Sequence, residues 1–272
     1  MNKNTKILFV DMDGTLLNDQ KEITAGNRRA IEAALAAGHK IVISTGRATA
    51  SAIRLAQRLS LTSDGCYAIT YNGGCIYDLY HKKSIYRKTI SKDNLRLILD
   101  AARQFGIYAH TYSENEILTE HDTPTLHRYA HNTQMSYLAV NDVCDLLPDG
   151  SEKIIVIDYH DHQHLVDFQK SVSDLIIGKA DTFFSCDEYL EVVPCGVSKG
   201  SAIRLFCEYL EIPVENTVSA GDAQNDIAML ETTHIGAVMK NAADFMFAHG
   251  NYITEHDNNH DGIAEVIDKF IL

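Results

Sequence analysis

The chain has 272 residues, of which 45% are hydrophobic, so it can form one large or two ordinary domains and bury a substantial core. Its 24 Lys and Arg residues against 37 Asp and Glu residues give a net charge of −13 with histidine neutral. Such a surface repels a polyanionic duplex, which argues against nucleic acid as a partner. A small anionic ligand is still compatible with this charge, because a bound cation and local donors can outweigh the global field.

The sequence also indicates in which cellular compartment the protein is located. No apolar run approaches the ~20 residues that span a bilayer, and the six cysteines are scattered without a Cys-x-x-Cys pair, a pattern typical of neither a zinc site nor a disulfide framework. The first five residues lead directly into an apolar strand, which leaves no room for a signal peptide. We therefore expect a cytoplasmic protein with no membrane partner, either a monomer or a small homo-oligomer.

The first predicted element is a strand that ends in two carboxylates. Residues 6–10 include four apolar residues of five, a composition typical of a parallel strand buried on both faces. Asp11 and Asp13 follow it, and Gly14 permits a sharp turn. Neighbouring carboxylates repel each other unless a cation lies between them, and hard oxygen ligands of this kind suit Mg²⁺. An ordinary Asp-rich turn is the alternative.

After this strand the predicted elements alternate between helix and strand. Thr24 and Gly38 have the features of the N-cap and the C′ residue of an amphipathic helix. A second buried strand over 40–43 and another amphipathic helix around 53–59 precede a third strand over 67–70. This order predicts a parallel α/β sheet.

From about residue 79 the composition changes, because histidine, tyrosine and polar residues become more frequent. Predicted elements in this part include one helix and three strands: 93–104, 107–111, 154–159 and 189–193. We interpret residues 81–195 as an α+β domain inserted into a core formed by residues 1–80 and 196–272. The histidine-rich stretch 159–164 lies inside the insertion and is interpreted as a solvated junction between a strand and a helix, without a functional role.

The α/β pattern resumes after the insertion. Ser198 is predicted to cap a helix that begins at Lys199. The remaining predicted elements are three strands and a final helix, at 217–220, 235–238, 251–254 and from Gly262 onward. The first of these strands ends in Gly221 and Asp222, a further carboxylate at a strand terminus.

Polar groups of the kinds that phosphate chemistry uses collect at the ends of these strands. Ligands of an open parallel sheet bind beyond the carboxyl ends of its strands. Asp11 with Asp13, Thr45 with Gly46, and Asp222 follow three of the strands. Each could be ordinary turn chemistry, and Lys199 alone could be a solvated lysine. Together they supply metal ligands, a hydroxyl with exposed amides and a fixed positive charge, as required to bind a transferring phosphoryl group.

These segments resemble the four motifs of the haloacid dehalogenase (HAD) superfamily. The matching residues are Asp-Met-Asp-Gly-Thr-Leu at 11–16, Ser-Thr-Gly-Arg at 44–47, Lys199, and Gly-Asp-Ala-Gln-Asn-Asp at 221–226. Their spacing resembles the Cof-type sugar-phosphate phosphatases, which carry a large C2-type cap between the second and third motifs. Asn72-Gly73-Gly74 also resembles the Asn-Gly-Ala turn of that branch. The resemblance implies a Rossmann-like parallel-sheet core, an inserted α+β cap that selects the substrate, and hydrolysis of small phosphorylated metabolites.

The resemblance also implies roles for individual residues. Asp11 would be the nucleophile that forms an aspartyl-phosphate, and Asp13 the general acid–base. Mg²⁺ would be held by the Asp11 carboxylate, the Asp13 backbone carbonyl and the Asp222 carboxylate. Asp226 would orient a metal-bound water or Lys199 without being a direct ligand.

Phosphate oxygens would be bound by a further set of groups: Thr45 Oγ1, the amides of Met12 and Gly46, Lys199 and Asn225. Arg47 is a candidate for contacting the substrate beyond its phosphate, although an exposed arginine at a helix start is an equal alternative.

Three other functions compete with hydrolysis. A phosphotransferase or phosphomutase on the same scaffold would return the phosphoryl group to a sugar. A regulatory protein that senses a phosphorylated ligand has no need for both a nucleophile and an acid. The complete set of Asp11, Asp13, Lys199 and Asp222 therefore weighs against it. A dinucleotide-dependent oxidoreductase is disfavoured because no Gly-x-Gly-x-x-Gly follows a strand.

Overall fold

The computed structural model describes residues 4–272, so the part of the signal-peptide expectation that rests on residues 1–3 lies outside the described residues. The described chain forms two compact units. One contains the residues up to Arg47 together with Ala52–Tyr86 and Ser198–Leu272, and the other contains Ala48–Ser51 and Arg87–Val197. The domain boundaries drawn from the sequence, after residues 80 and 195, stay a prediction. Among residues 4–272, no helix has the length and apolar character of a membrane span.

The first unit is built on an eight-stranded sheet. In spatial order its strands are Tyr252–Ile253 (β14), Ile235–Val238 (β13), Thr217–Gly221 (β12), Ile7–Val10 (β1), Lys40–Ser44 (β2), Cys66–Thr70 (β3), Cys75–Asp78 (β4) and Lys83–Arg87 (β5). The strands from β14 to β3 are parallel, and β4 returns antiparallel to β3. The chain runs outward from β1 in one direction and from β12 in the other, so the order of connection reverses between these two central strands.

The helices of this unit lie on both faces of the sheet. They are Ala25–Ala36 (α1), Thr49–Arg58 (α2, of which residues 52–58 belong to this unit), Lys199–Leu210 (α6), Ile227–Leu230 (α7) and Gly262–Phe270 (α8). Leu8 and Val10 of β1 share a buried cluster with α1, α2 and α8, whereas Ile7 and Phe9 share another with α6. Alternate residues of a strand point to opposite faces, so a strand covered on both sides is apolar at every position. All four residues of β1 are fully buried.

The second unit contains a six-stranded sheet. Its spatial order is Ala180–Cys186 (β10), Tyr189–Pro194 (β11), Ile154–Ile157 (β9), Tyr108–Tyr112 (β6), Ile117–Thr119 (β7) and Tyr137–Ala139 (β8). Adjacent strands are antiparallel except for β7 and β8. Its helices are Lys92–Phe105 (α3), Pro124–Thr133 (α4) and His162–Ile176 (α5). Apolar residues of α3 and α5 share one buried cluster with β9 and β11.

The predicted fold class, a parallel-sheet α/β core with an inserted α+β domain, is confirmed. Most differences in element bounds have local causes. The strand predicted at 107–111 begins at Tyr108, because Gly106 adopts φ +80° at the end of α3 and Ile107 N donates to Ala102 O over 3.0 Å. The histidine-rich stretch is a junction before α5, where the Asp161 side chain accepts hydrogen bonds from Gln163 N and His164 N.

A buried histidine lies on β6 of the second unit. His110 on β6 is 1% exposed, its Nε2 lies 3.3 Å from Tyr112 Oη, and its Nδ1 has no hydrogen-bond partner. Burial, with a smaller contribution from the Lys153 ammonium, lowers the pKa of His110 well below its usual value. The folded chain therefore holds this imidazole neutral at a pH where the unfolded chain protonates it.

This difference predicts that the unit loses stability as pH falls below about 6.5, by at most about 1.4 kcal/mol per pH unit, because the unfolded chain takes up a proton that folded His110 does not. Urea midpoints of wild type and His110→Gln at about pH 7.5 and about pH 5.5 should show a smaller pH dependence in the variant. His160→Gln, at an exposed position, should retain the wild-type dependence. Equal pH dependence in wild type and His110→Gln would contradict the prediction.

Candidate active site

The turn after β1 places Asp11 at the centre of the sheet's carboxyl edge. Asp11 N donates to Ala220 O of β12 over 3.0 Å, which continues the parallel ladder one residue past the strand. Leu16 N then donates to Asp11 O, and the turn passes through Gly14 at φ +85°. A Cβ on Gly14 would lie 2.4 Å from Asp222 Oδ2, so a glycine is required for the turn to approach that carboxylate.

A buried lysine connects this turn to α6, the helix that packs against Ile7 and Phe9 of β1. Ser198 caps α6: its Oγ accepts a hydrogen bond from Ser201 N, and its own N–H donates to Ser201 Oγ. Lys199, the first residue of α6, is 1% exposed. Its Nζ donates to Asp11 Oδ1 over 2.5 Å and to Asp226 Oδ1 over 2.6 Å. One ammonium therefore neutralises part of the charge of two buried carboxylates.

Burial and these carboxylates set the protonation of the cluster. Burial, followed by repulsion from Asp226, raises the pKa of Asp11 well above its usual range, although Lys199 opposes this shift. Burial lowers the pKa of Lys199, but the attraction of Asp11 and Asp226 outweighs it, so the net shift is upward and the ammonium stays charged.

Asp226 is held by both of its oxygens. Oδ1 accepts from Lys199, and Oδ2 accepts from the backbone amides of Asp222 over 3.0 Å and Ala223 over 3.1 Å. Gly221 makes this approach sterically feasible, since a Cβ there would lie 2.6 Å from Asp226 Cβ. Asp226 thus fixes both the Lys199 ammonium and the backbone that carries Asp222.

The carboxylates of Asp11, Asp222 and Asp226 lie close enough together to hold a metal ion, with one oxygen of each within 4.8 Å of the others. Asp222 Oδ1 accepts a hydrogen bond from Thr15 Oγ1 over 2.6 Å. Burial raises the pKa of Asp222 to about 6, and repulsion from Asp226 adds to this effect. An all-oxygen donor set of this type fits Mg²⁺.

Asp13 has different surroundings. Arg47 donates to its Oδ2 from Nε over 3.2 Å and from Nη2 over 2.8 Å, and Lys21 Nζ donates to Oδ1 over 2.9 Å. Burial alone would raise the pKa of Asp13, but Arg47 and Lys21 outweigh this effect and lower it. The side chain is 41% exposed, so its carboxylate is accessible to a ligand from solvent.

The predicted phosphate-binding residues lie at neighbouring strand ends. Thr45 follows β2, and its Oγ1 accepts a hydrogen bond from Arg47 N over 3.2 Å. Asn225 Nδ2 donates to Asn72 Oδ1, and the Asn72 side chain also lies against Gly46. The register of β1 with β2, and of β2 with β3, brings these ends to the same edge of the sheet as Asp11.

Direct contacts thus connect many of the predicted residues: Asp11, Lys199, Asp226 and Asp222 form one group, Asp13 with Arg47 a second, and Gly46 with Asn225 a third through Asn72. Met12 is buried in the turn after β1. Their functional roles stay predictions.

Sequence reasoning assigned nothing to Thr15, Lys21 or Asn72. Thr15 and Asn72 lie within the quoted motifs, whereas nothing near Lys21 in the sequence indicates its contact with Asp13.

The buried ion pairs predict a pH-dependent cost of removing the ammonium. Lys199→Met leaves Asp11 and Asp226 buried without a cation, so the free energy of unfolding should fall by about 3 kcal/mol at alkaline pH. The loss should be smaller at mildly acidic pH, where a carboxyl group can take up a proton. Urea denaturation at both pH values measures this difference. Lys240→Met, at an exposed site, is the control, and an equal loss from both variants would contradict the prediction.

The sequence is also similar to known proteins. The family model of haloacid dehalogenase-like hydrolases matches residues 8–267. A Streptococcus pyogenes protein named as a phosphatase is 31% identical over 98% of both chains. The 5-amino-6-(5-phospho-D-ribitylamino)uracil phosphatase of Bacillus subtilis is 30% identical over 98% of this chain and 96% of its own.

The fold is also shared with a solved structure. A haloacid dehalogenase-like hydrolase from Bacteroides thetaiotaomicron superimposes with a TM-score of 0.88, at 28% identity, over 97% of this chain and 99% of its own. The relatives' names and the family match confirm the predicted enzyme class, an HAD-type phosphoric monoester hydrolase. The chain belongs to the haloacid dehalogenase-like hydrolase family.

Proposed function

We propose that the protein is a magnesium-dependent phosphatase that hydrolyses small phosphorylated metabolites, with sugar phosphates as the first substrate class to test, through an aspartyl-phosphate intermediate. The observation that carries this proposal is the buried Lys199 ammonium bound to Asp11 Oδ1 at the centre of the sheet's carboxyl edge, with Asp222 alongside. The relative named as a phospho-ribitylaminouracil phosphatase supports a small phosphorylated substrate.

The first half of the proposed reaction is phosphoryl transfer to the enzyme. An oxygen of Asp11 attacks phosphorus, a bond to the Asp11 carboxylate forms, and the bond from phosphorus to the alkoxide oxygen breaks. Asp13 gives its proton to the departing alkoxide, which leaves as the alcohol. Lys199, Thr45 and Asn225 bind the oxygens that carry the negative charge.

The second half returns the enzyme to its starting state. Asp13, now a carboxylate, takes a proton from water, and the resulting hydroxide attacks phosphorus. The bond to Asp11 breaks, and inorganic phosphate is released. Lys21 and Arg47 favour the ionised form of Asp13 that this step requires. The first half requires Asp13 to be protonated, so its ion pairs with Lys21 and Arg47 must loosen before that step.

The charge balance supports a divalent cofactor. When ionised, the three clustered carboxylates carry three negative charges, and Lys199 compensates one of them. We propose that Asp11, Asp222 and the backbone carbonyl of Asp13 hold Mg²⁺, while Asp226 orients Lys199 and the Asp222 backbone. Bound Mg²⁺ would reduce the repulsion between Asp11 and the anionic phosphoryl group.

The first test is phosphate release from p-nitrophenyl phosphate and a panel of sugar phosphates, with Mg²⁺ or excess chelator. The wild-type protein should release phosphate from these substrates only when Mg²⁺ is present. Asp11→Asn should lose activity by about 10⁴-fold or more, because the amide cannot act as the nucleophile. Asp268→Asn, which changes an exposed aspartate on α8, should keep wild-type activity.

The same assay distinguishes the competing functions. Consumption of a sugar phosphate without release of inorganic phosphate would support a phosphotransferase or mutase. A folded protein that binds the panel compounds but turns none of them over would support a phosphometabolite sensor. Turnover that persists in excess chelator would contradict the magnesium requirement.

The role proposed for Asp13 predicts dependence on the leaving group. A sugar alkoxide is a much poorer leaving group than p-nitrophenolate and needs protonation as it departs. Asp13→Asn should therefore reduce the phosphorylation rate by about 10²-fold or more for a sugar phosphate and by much less for p-nitrophenyl phosphate. Rapid-quench measurement of the first turnover tests this difference. Equal losses on both substrates would contradict an acid role for Asp13.

A further inference from the structure

The loop after β3 has an unusual backbone. Tyr71, Asn72 and Gly73 adopt φ values of +52°, +54° and +115° in succession, and all three residues are buried. Non-glycine residues rarely adopt this left-handed conformation, which is energetically unfavourable for them and persists where surrounding contacts impose it. The contacts of this loop therefore indicate what it does.

Its backbone pairs with the loop after β2. Tyr71 N donates to Arg47 O over 3.0 Å, and Asn72 N donates to Thr45 O over 3.1 Å. These bonds hold the backbone of Thr45 and Arg47 from a neighbouring loop. The left-handed turn thus supports the residues on which the proposed phosphate site is built.

The carboxamide of Asn72 makes two further contacts there. Its Oδ1 accepts a hydrogen bond from Asn225 Nδ2 over 3.4 Å. A Cβ on Gly46 would lie 2.9 Å from Asn72 Nδ2, so the Gly46 backbone lies directly against the carboxamide. Asn72 therefore connects Asn225 with Gly46, two groups proposed to bind phosphate from different strand ends.

The next residue contacts the helix that carries Lys199. A Cβ on Gly73 would lie 2.2 Å from Ser198 O, the N-cap residue of α6. Only glycine permits this approach at φ +115°. The loop thus contacts the Thr45–Arg47 segment, Asn225 and the start of α6.

We propose that Asn72 is a positioning residue of the phosphate site, whose carboxamide sets the orientation of the Asn225 amide and the position of the Gly46 backbone. This inference rests on the proposed phosphatase function. It differs from a purely structural role, in which Asn72 is present only because asparagine tolerates positive φ better than most residues.

Two substitutions separate these roles. Asn72→Gly keeps the backbone conformation at little cost and removes only the carboxamide. Asn72→Asp keeps an oxygen that can accept from Asn225 but places negative charge beside Gly46. Glu211→Gly is the matched control, because Glu211 also adopts positive φ (+54°), at the end of α6.

The measurements are KM, kcat and the inhibition constant of inorganic phosphate, with phosphate binding also titrated by calorimetry. A positioning role predicts about tenfold weaker phosphate binding and a higher KM for Asn72→Gly, with a thermal midpoint close to that of wild type. Asn72→Asp should lose more affinity than Asn72→Gly, because its charge repels phosphate. Combining Asn72→Gly with Asn225→Ala should cost less than the sum of the separate losses.

Wild-type phosphate affinity in Asn72→Gly would overturn the inference, as would better binding by Asn72→Asp than by Asn72→Gly. Losses of the same size in Glu211→Gly would also overturn it, since they would show a general response to changes at left-handed positions. If wild type binds phosphate but releases none from any substrate, the phosphatase proposal fails, whereas the calorimetric comparison still tests the role of Asn72.

Discussion

The candidate active site is organised around one buried ammonium shared by two buried carboxylates. Lys199 donates to Asp11 and to Asp226, and none of the three residues is more than 8% exposed. Removing such charges from water is costly, and each is tolerated only because its partners compensate it. The amides of Asp222 and Ala223 also donate to Asp226, so the Lys199 ammonium and the backbone that carries Asp222 are held by the same carboxylate.

The sheet topology makes this arrangement possible. Asp11 and Lys199 are 188 positions apart in the chain, but β1 and β12 are adjacent at the reversal of strand order, and α6 covers one face of β1. Glycines permit the close approaches, with Gly14 against Asp222 and Gly73 against Ser198. The charges are thus brought together by the register of parallel strands, with steric room supplied where a side chain would collide.

Much of the fold could be predicted from the sequence, because apolar runs and helix-capping residues act on the segments in which they occur. The buried strands β1 and β13, the caps at Thr24 and Ser198, and the start of α8 at Gly262 follow from apolar runs and capping chemistry. The strands β4 and β5 were not predicted. β4 has only four residues, three of them buried, and β5 is exposed at both ends, so neither has a clear alternating pattern. Two predicted strands were too long: the one at 154–159 ends at Ile157 in β9, and the one at 251–254 is reduced to Tyr252–Ile253 in β14.

The candidate site residues were predicted from four ordered motifs, and the motifs do not specify contacts between distant residues. That Lys21 pairs with Asp13, and that Asn72 lies between Gly46 and Asn225, depends on where separate turns meet at the edge of the sheet. Such meetings depend on three-dimensional packing and leave no periodic trace in the sequence.

The most direct measurement of the central claim is mass spectrometry of the enzyme after an acid quench during turnover. Asp13→Asn with p-nitrophenyl phosphate should be used for it, because this leaving group needs little protonation, so phosphorylation continues while slow hydrolysis lets the phosphoenzyme accumulate. We expect one added phosphoryl group on the peptide that contains Asp11, sensitive to hydroxylamine and present only with Mg²⁺ and substrate. Phosphate on another residue, or an unmodified peptide while inorganic phosphate is still being released, would contradict it.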